Sequence, residues 1–145
     1  MKHLVVLLVF FSFLLSGEGV FLTINTPGHK SMIRDVIITK DKEIITASDD
    51  KTIKVWDSKT GKEKKKFLGD ISSGSKGKVF AIALDPSEKY LAVGGFLYGP
   101  DNQSYIRIYN YRTGQLKKVL KGHKNVIDDL SFDINGKYLV SSSRD

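Results

Sequence analysis

The stretch covering residues 28–57, GHKSMIRDVIITKDKEIITASDDKTIKVWD, does not stand alone in this chain. Gly28-His29-Lys30 recurs as Gly122-His123-Lys124, and Ile44-Ile45-Thr46-Ala47-Ser48-Asp49-Asp50 recurs as Leu139-Val140-Ser141-Ser142-Ser143-Arg144-Asp145. Between them, Trp56-Asp57, Thr60-Gly61 and Phe67-Leu68-Gly69-Asp70 align without a gap on Tyr109-Asn110, Thr113-Gly114 and Leu120-Lys121-Gly122-His123. The outer copies are two units of about 42 residues apart once insertions of about five and six residues in the middle copy are set aside. A unit of that length buries its apolar faces only against its neighbours, so the repeat dictates a stacked architecture.

The apolar runs inside the unit are of strand length. Residues 33–39, 44–48 and 52–56 are rich in β-branched side chains and separated by polar turns, and the middle copy supplies 79–86, 90–95 and 106–109. No sustained helical period occurs after residue 19. The expected fold class is all-β, built of four-stranded antiparallel units at the period of a propeller blade.

Gly28-His29, Ser48-x-Asp50 and Ile53-Lys54-Val55-Trp56-Asp57 resemble the WD40 repeat family at its diagnostic positions, and the resemblance covers residues 20–145. It implies WD40-type blades in an incomplete ring of about three: blade one at 28–69, blade two at 70–121 with two insertions, and blade three at 122–145. A ring closes with four to eight blades. The expected explanation is therefore C-terminal truncation, with self-assembly of partial rings second, and 20–27 is expected to be an outer strand completing the last blade.

The resemblance also assigns residues. Asp, His, Ser and Trp form a hydrogen-bonded chain within a blade of the family. Carried over, this gives a structural tetrad of His29, Ser48, Asp50 and Trp56, with His123, Ser143 and Asp145 as its third-copy members, in place of a Ser-His-Asp hydrolase triad. Copy two has Asp70, Gly95 and Tyr109 where His, Ser and Trp are expected. The family's top-face contact positions fall on Arg34, Asp49, Phe80, Asp128 and Arg144. The insertions at 71–76 and 96–103 lengthen two loops at the same end of one antiparallel blade, so Phe96, Leu97 and Tyr98 join the expected partner-binding set.

Composition narrows the setting. Residues 1–19 combine Lys2 and His3, an apolar run at 4–15 and small residues Ser16, Gly17 and Gly19, the order of a secretory signal peptide. The run is short for a membrane span. With no cysteine, the chain has neither disulfides nor a lipid-attachment residue. The expectation is an exported, periplasmic or extracellular protein, bacterial in type. The net charge of +7 admits an acidic partner. The densest basic run, 62–66, lacks interleaved aromatics and lies on an expected outer strand, where lysines discourage edge pairing, so nucleic acid is not the expected partner. No metal-ligand spacing or phosphate-binding glycine motif occurs, so no metal or cofactor is expected. Asn102-Gln103-Ser104 is a glycosylation sequon, relevant only in a eukaryotic secretory pathway. The function expected is non-catalytic binding of protein or peptide on the top face. Alternatives are a propeller that regulates or targets a peptidase-like or kinase domain of a larger enzyme, and one whose channel holds a small ligand or metal.

Overall fold

The computed structural model of this protein describes residues 28–68 and 73–145. The signal-like residues 1–19, the strand expected at 20–24, Asp70 and the start of the 71–76 insertion lie outside the described residues. Strands β1 (Ile33–Ile38), β2 (Glu43–Ser48), β3 (Thr52–Asp57) and β4 (Glu63–Leu68) form one antiparallel sheet in chain order. A second such sheet holds β5 (Val79–Leu84), β6 (Tyr90–Gly95), β7 (Ser104–Asn110) and β8 (Leu116–His123). A third pairs β9 (Ile127–Phe132) with β10 (Leu139–Ser143). The described residues contain no helix long and apolar enough to cross a membrane.

The repeated Thr-Gly marks one recurring turn. Asp57 accepts the Lys59 and Thr60 N–H groups on its carboxylate and the Gly61 N–H on its carbonyl, with Gly61 at φ 66°. Asn110 repeats this with the Thr113 and Gly114 N–H groups, Gly114 standing at φ 74°. A β-carbon is disfavoured at such φ, and the turn fixes the β3–β4 and β7–β8 registers.

Strand register makes the copies comparable residue by residue. Ser48, Gly95 and Ser143 face Ile33, Val79 and Ile127 across the first strand pair of each blade. The same alignment places Val36, Ile82 and Leu130 together, and likewise Ile38, Leu84 and Phe132. In blade two these positions pack on Ile45, Val55 and Phe67 of blade one. In blade three they pack on Ala83, Ala92 and Ile106 of blade two. The hydrophobic core is thus two blade-to-blade interfaces, each pressing the same three positions against the preceding sheet. The second uses small residues on the receiving side, and a β-carbon on Gly94 would stand 2.7 Å from Ile127. On blade one the corresponding Ile33, Val36 and Ile38 are exposed, as the open end of an incomplete ring requires.

Polar ties reinforce the first interface. Asp35 accepts the Ile82 N–H at 2.8 Å, and Lys65 donates to the Tyr111 and Arg112 carbonyls at 2.6 Å each. Tyr111 donates its hydroxyl to Glu43, which also pairs with Lys64. Two lysines of the 62–66 run therefore have structural partners, and the run lies on the outermost strand of its sheet.

Candidate partner-binding face and the polar relay beside it

The loop entering β1 and the β2–β3 turn lie at one end of blade one, where His29 is fixed over the sheet. Its Nδ1 lies 2.9 Å from Asp50 Oδ2 and its Nε2 lies 2.6 Å from Thr46 Oγ1, while Trp56 Nε1–H donates to the same Thr46 oxygen at 2.8 Å. Donor and acceptor roles follow from the carboxylate. His29 donates Nδ1–H to Asp50, so Nε2 accepts the Thr46 hydroxyl proton, and Thr46 in turn accepts from Trp56. The His29 side chain is 2% exposed. Both ring nitrogens and the hydroxyl are committed within the blade, an arrangement suited to structure and closed to a substrate.

The hydroxyl in this relay is that of Thr46, which corrects the assignment of Ser48. Strand geometry gives the reason. Trp56 pairs with Ile44 across β2–β3, so the diagonal neighbour two residues on, Thr46, is within reach of the indole, whereas Ser48 lies two more residues along β2. Ser48 Oγ instead donates to the Ser31 carbonyl and accepts the Asp50 N–H. Copy three repeats the correction: His123 Nε2 meets Ser141 Oγ at 2.8 Å and Nδ1 meets Asp145 at 3.0 Å, while Ser143 Oγ donates to the Asn125 carbonyl. In blade two the relay position is Val93, which packs in the core between blades, and the Trp position is Tyr109.

Burial pushes the Asp50 carboxyl up, and the Thr52 hydroxyl, the Lys30 N–H and the His29 ring outweigh it, bringing it down to about 2. The folded value lies below the unfolded one, so ionised Asp50 favours the fold. Its contribution is fully present above about pH 4 and is lost as pH falls through 2. The melting-temperature gap between wild type and Asp50→Asn is therefore expected to be widest above pH 4 and to close toward pH 2. A gap constant over that range would show that the carboxylate charge does not support the blade.

Beside this relay, one pair of positions at the same end of all three blades carries side chains in mutual contact. In blade one it is Arg34 and Asp49, joined by two bonds at 2.7 and 2.8 Å. In blade two it is Phe80 and Phe96, edge to face with centroids 5.1 Å apart. In blade three the charges are exchanged, Asp128 accepting from Arg144 Nε at 2.9 Å. The Arg34 and Arg144 guanidinium carbons lie 4.6 and 5.9 Å from the Phe80 ring centre. The structure thus gathers Arg34, Asp49, Phe80, Phe96, Asp128 and Arg144 into one patch, an aromatic pair between two ion pairs. Arg34's hydrogen bonds hold the Asp49 carboxyl below the usual carboxylate range.

The 96–103 loop is divided between surface and core. Phe96 and Tyr98 are half-buried at the patch, their rings 6.2 Å apart, and the Tyr98 hydroxyl lies 3.5 Å from Asn125 Oδ1. Leu97 is 1% exposed and packs with Val79 and Val93 between blades, which corrects its assignment to the partner surface. Adjacent residues in extended backbone point oppositely, so presenting Phe96 and Tyr98 turns Leu97 inward. The rest of the loop closes on its own blade, with the Gly99 N–H bonded to the Gln103 carbonyl and Tyr105 covering Gly99. Lys78, whose Nζ lies 3.6 Å from Asp49, is a patch residue that the sequence reading missed. Among the described residues no group of acidic, histidine or cysteine side chains is placed to hold a metal.

Stacked four-stranded blades with a buried relay and a side-chain patch at one end define a β-propeller fold. Residues 21–57 and 114–145, in the first and third copies of the repeat, match the family WD domain, G-beta repeat. The chain is 33% identical to the ribosome biogenesis protein WDR12 homolog of Trichoplax adhaerens, over 84% of its own length and 27% of the relative's. It is 26% identical to the guanine nucleotide-binding protein subunit beta of Oryza sativa subsp. japonica, over 81% and 30%. The WD40 β-propeller domain of Doa1 superposes with a TM-score of 0.62 at 25% identity, covering 79% of this chain and 34% of that one. The chain spans about a third or less of each of these proteins.

Proposed function

We propose that this chain is a non-catalytic scaffold that binds protein or peptide through the patch centred on Phe80. The observation that carries the reading is the aromatic pair set between two arginines at one end of three adjacent blades. Aromatic and arginine side chains anchored by their neighbours are the usual energetic centre of protein interfaces. The WD40 repeats support the same reading, since propellers of this family generally serve as interaction scaffolds. Residues 1–19 support an exported setting for this activity.

The test is capture on the immobilised full chain, compared with Phe80→Ala and with Lys59→Ala at the opposite end, all three first shown to melt alike. Loss of this half-buried aromatic anchor is expected to weaken partner binding by about 30-fold or more. Lys59→Ala should leave binding unchanged. Equal recovery of the same proteins by the Phe80→Ala chain would remove this end of the blades from the proposal.

A further inference from the structure

The charges around Phe80 are not balanced toward solvent. Asp49, 8% exposed, accepts two bonds from Arg34 and lies beside Lys78, so its oxygens are spent within the protein. Asp128 receives Arg144 Nε on both oxygens. Asp50 and Asp145 are taken by their histidines and by the Lys30 and Lys124 N–H groups. The cations keep donors to spare. The Arg144 side chain is 58% exposed and commits Nε, and neither terminal amino group has a partner among the described residues. Arg34 uses Nε and one amino group.

We infer that this patch recognises an acidic peptide segment, its anionic oxygens held by Arg144 and Arg34 and a neighbouring apolar side chain laid against Phe80 and Phe96. The inference rests on the reading of this face as protein-binding and names the chemistry of the partner. A guanidinium fork takes a carboxylate or a phosphate in a charge-assisted pair. Arg34 is already held by Asp49 and stacked on Phe80, so little side-chain freedom is lost when an oxyanion arrives. A neutral segment would cover these amino groups without pairing them, and a basic one would meet like charge.

Selection of short random peptides displayed on phage against the immobilised full chain tests this. Enriched sequences are expected to place Asp or Glu close to Leu, Ile, Phe, Tyr or Trp. The strongest is then made in three forms, with its acids, with the corresponding amides and with phosphoserine in their place, and titrated by fluorescence anisotropy. The amide form should bind about tenfold more weakly or worse, and added salt should weaken the acidic form. Arg144→Gln should reduce the acidic form to the level of the amide form, with Arg144→Lys between them and all variants melting alike. The tighter of the carboxylate and phosphoserine forms identifies the oxyanion the patch fits. Enriched peptides without acidic residues, or an amide form that binds equally, would overturn the inference while Phe80→Ala still abolished binding and upheld a protein-binding face. No enrichment, or peptide binding indifferent to Phe80→Ala, would overturn both.

Discussion

Gly95→Ser is expected to destabilise the protein by about 2–4 kcal/mol, although serine is the residue that blades one and three carry at the same register. Gly95 has φ 147°, and a β-carbon there would lie 2.4 Å from the Lys78 carbonyl oxygen and 2.8 Å from the Phe80 nitrogen. Those are backbone atoms of the paired strand and its approach, and the Lys78 carbonyl is already accepting the Phe96 N–H, so neither can withdraw cheaply. Ser48 occupies the position in blade one without positive φ and with a hydroxyl that ties two loops together. Blade two has traded that tie for a sharper exit from β6 into the longer loop that carries Phe96 and Tyr98. Thermal unfolding of Gly95→Ser and Gly95→Ala checks this. Both should melt well below wild type, and a serine variant as stable as wild type would mean that the glycine is only an ordinary divergence of the repeat.

The repeat made the fold legible because it combined two independent periods. Strand-length runs fixed the elements, and the recurrence of Gly-His, Thr-Gly and Trp-Asp or Tyr-Asn fixed how they group into sheets. The top-face patch was legible in part for the same reason, since equivalent positions in successive blades must lie side by side. Pairing across each blade was harder to see. Arg34 and Phe80 are the unpaired bulge residues at the start of β1 and β5, and their side chains meet Asp49 and Phe96, whose own N–H groups bond to the Met32 and Lys78 carbonyls. Leu97 was misread because alternation inside an inserted loop is invisible until its backbone is known to be extended. Ser48 was misread because spacing along a strand does not say which of two hydroxyls on one face a side chain from the next strand can reach. Counting from Trp56 across its partner Ile44 would have selected Thr46, and the third copy, with its histidine, carries a hydroxyl at the same repeat position in Ser141 where the second copy, without one, carries Val93.

Thr46→Val is expected to cost about 2–4 kcal/mol with almost no change in volume. The substitution leaves the Trp56 Nε1–H without its acceptor and His29 Nε2 without its donor, in a site where Thr46 is 7% exposed and the His29 ring 2%. Each stranded group carries its own desolvation penalty, and the two are not compensated by the methyl gained. Thr46→Ser should recover most of the loss, because copy three runs the same relay through Ser141. Ser48→Ala discriminates between the two hydroxyls: it removes the bond to the Ser31 carbonyl and the one from the Asp50 N–H and should cost about 1–2 kcal/mol, less than Thr46→Val. Trp56 is the chain's one tryptophan, so its fluorescence reports unfolding of the relay's own blade during urea titration. A Ser48→Ala chain that loses more stability than Thr46→Val would return the relay to Ser48. Val93 shows why the prediction concerns partners and not polarity as such. Blade two buries a valine at this register beside Tyr109, with no indole N–H to leave stranded, so an apolar residue is harmful there only when the polar groups it faces remain.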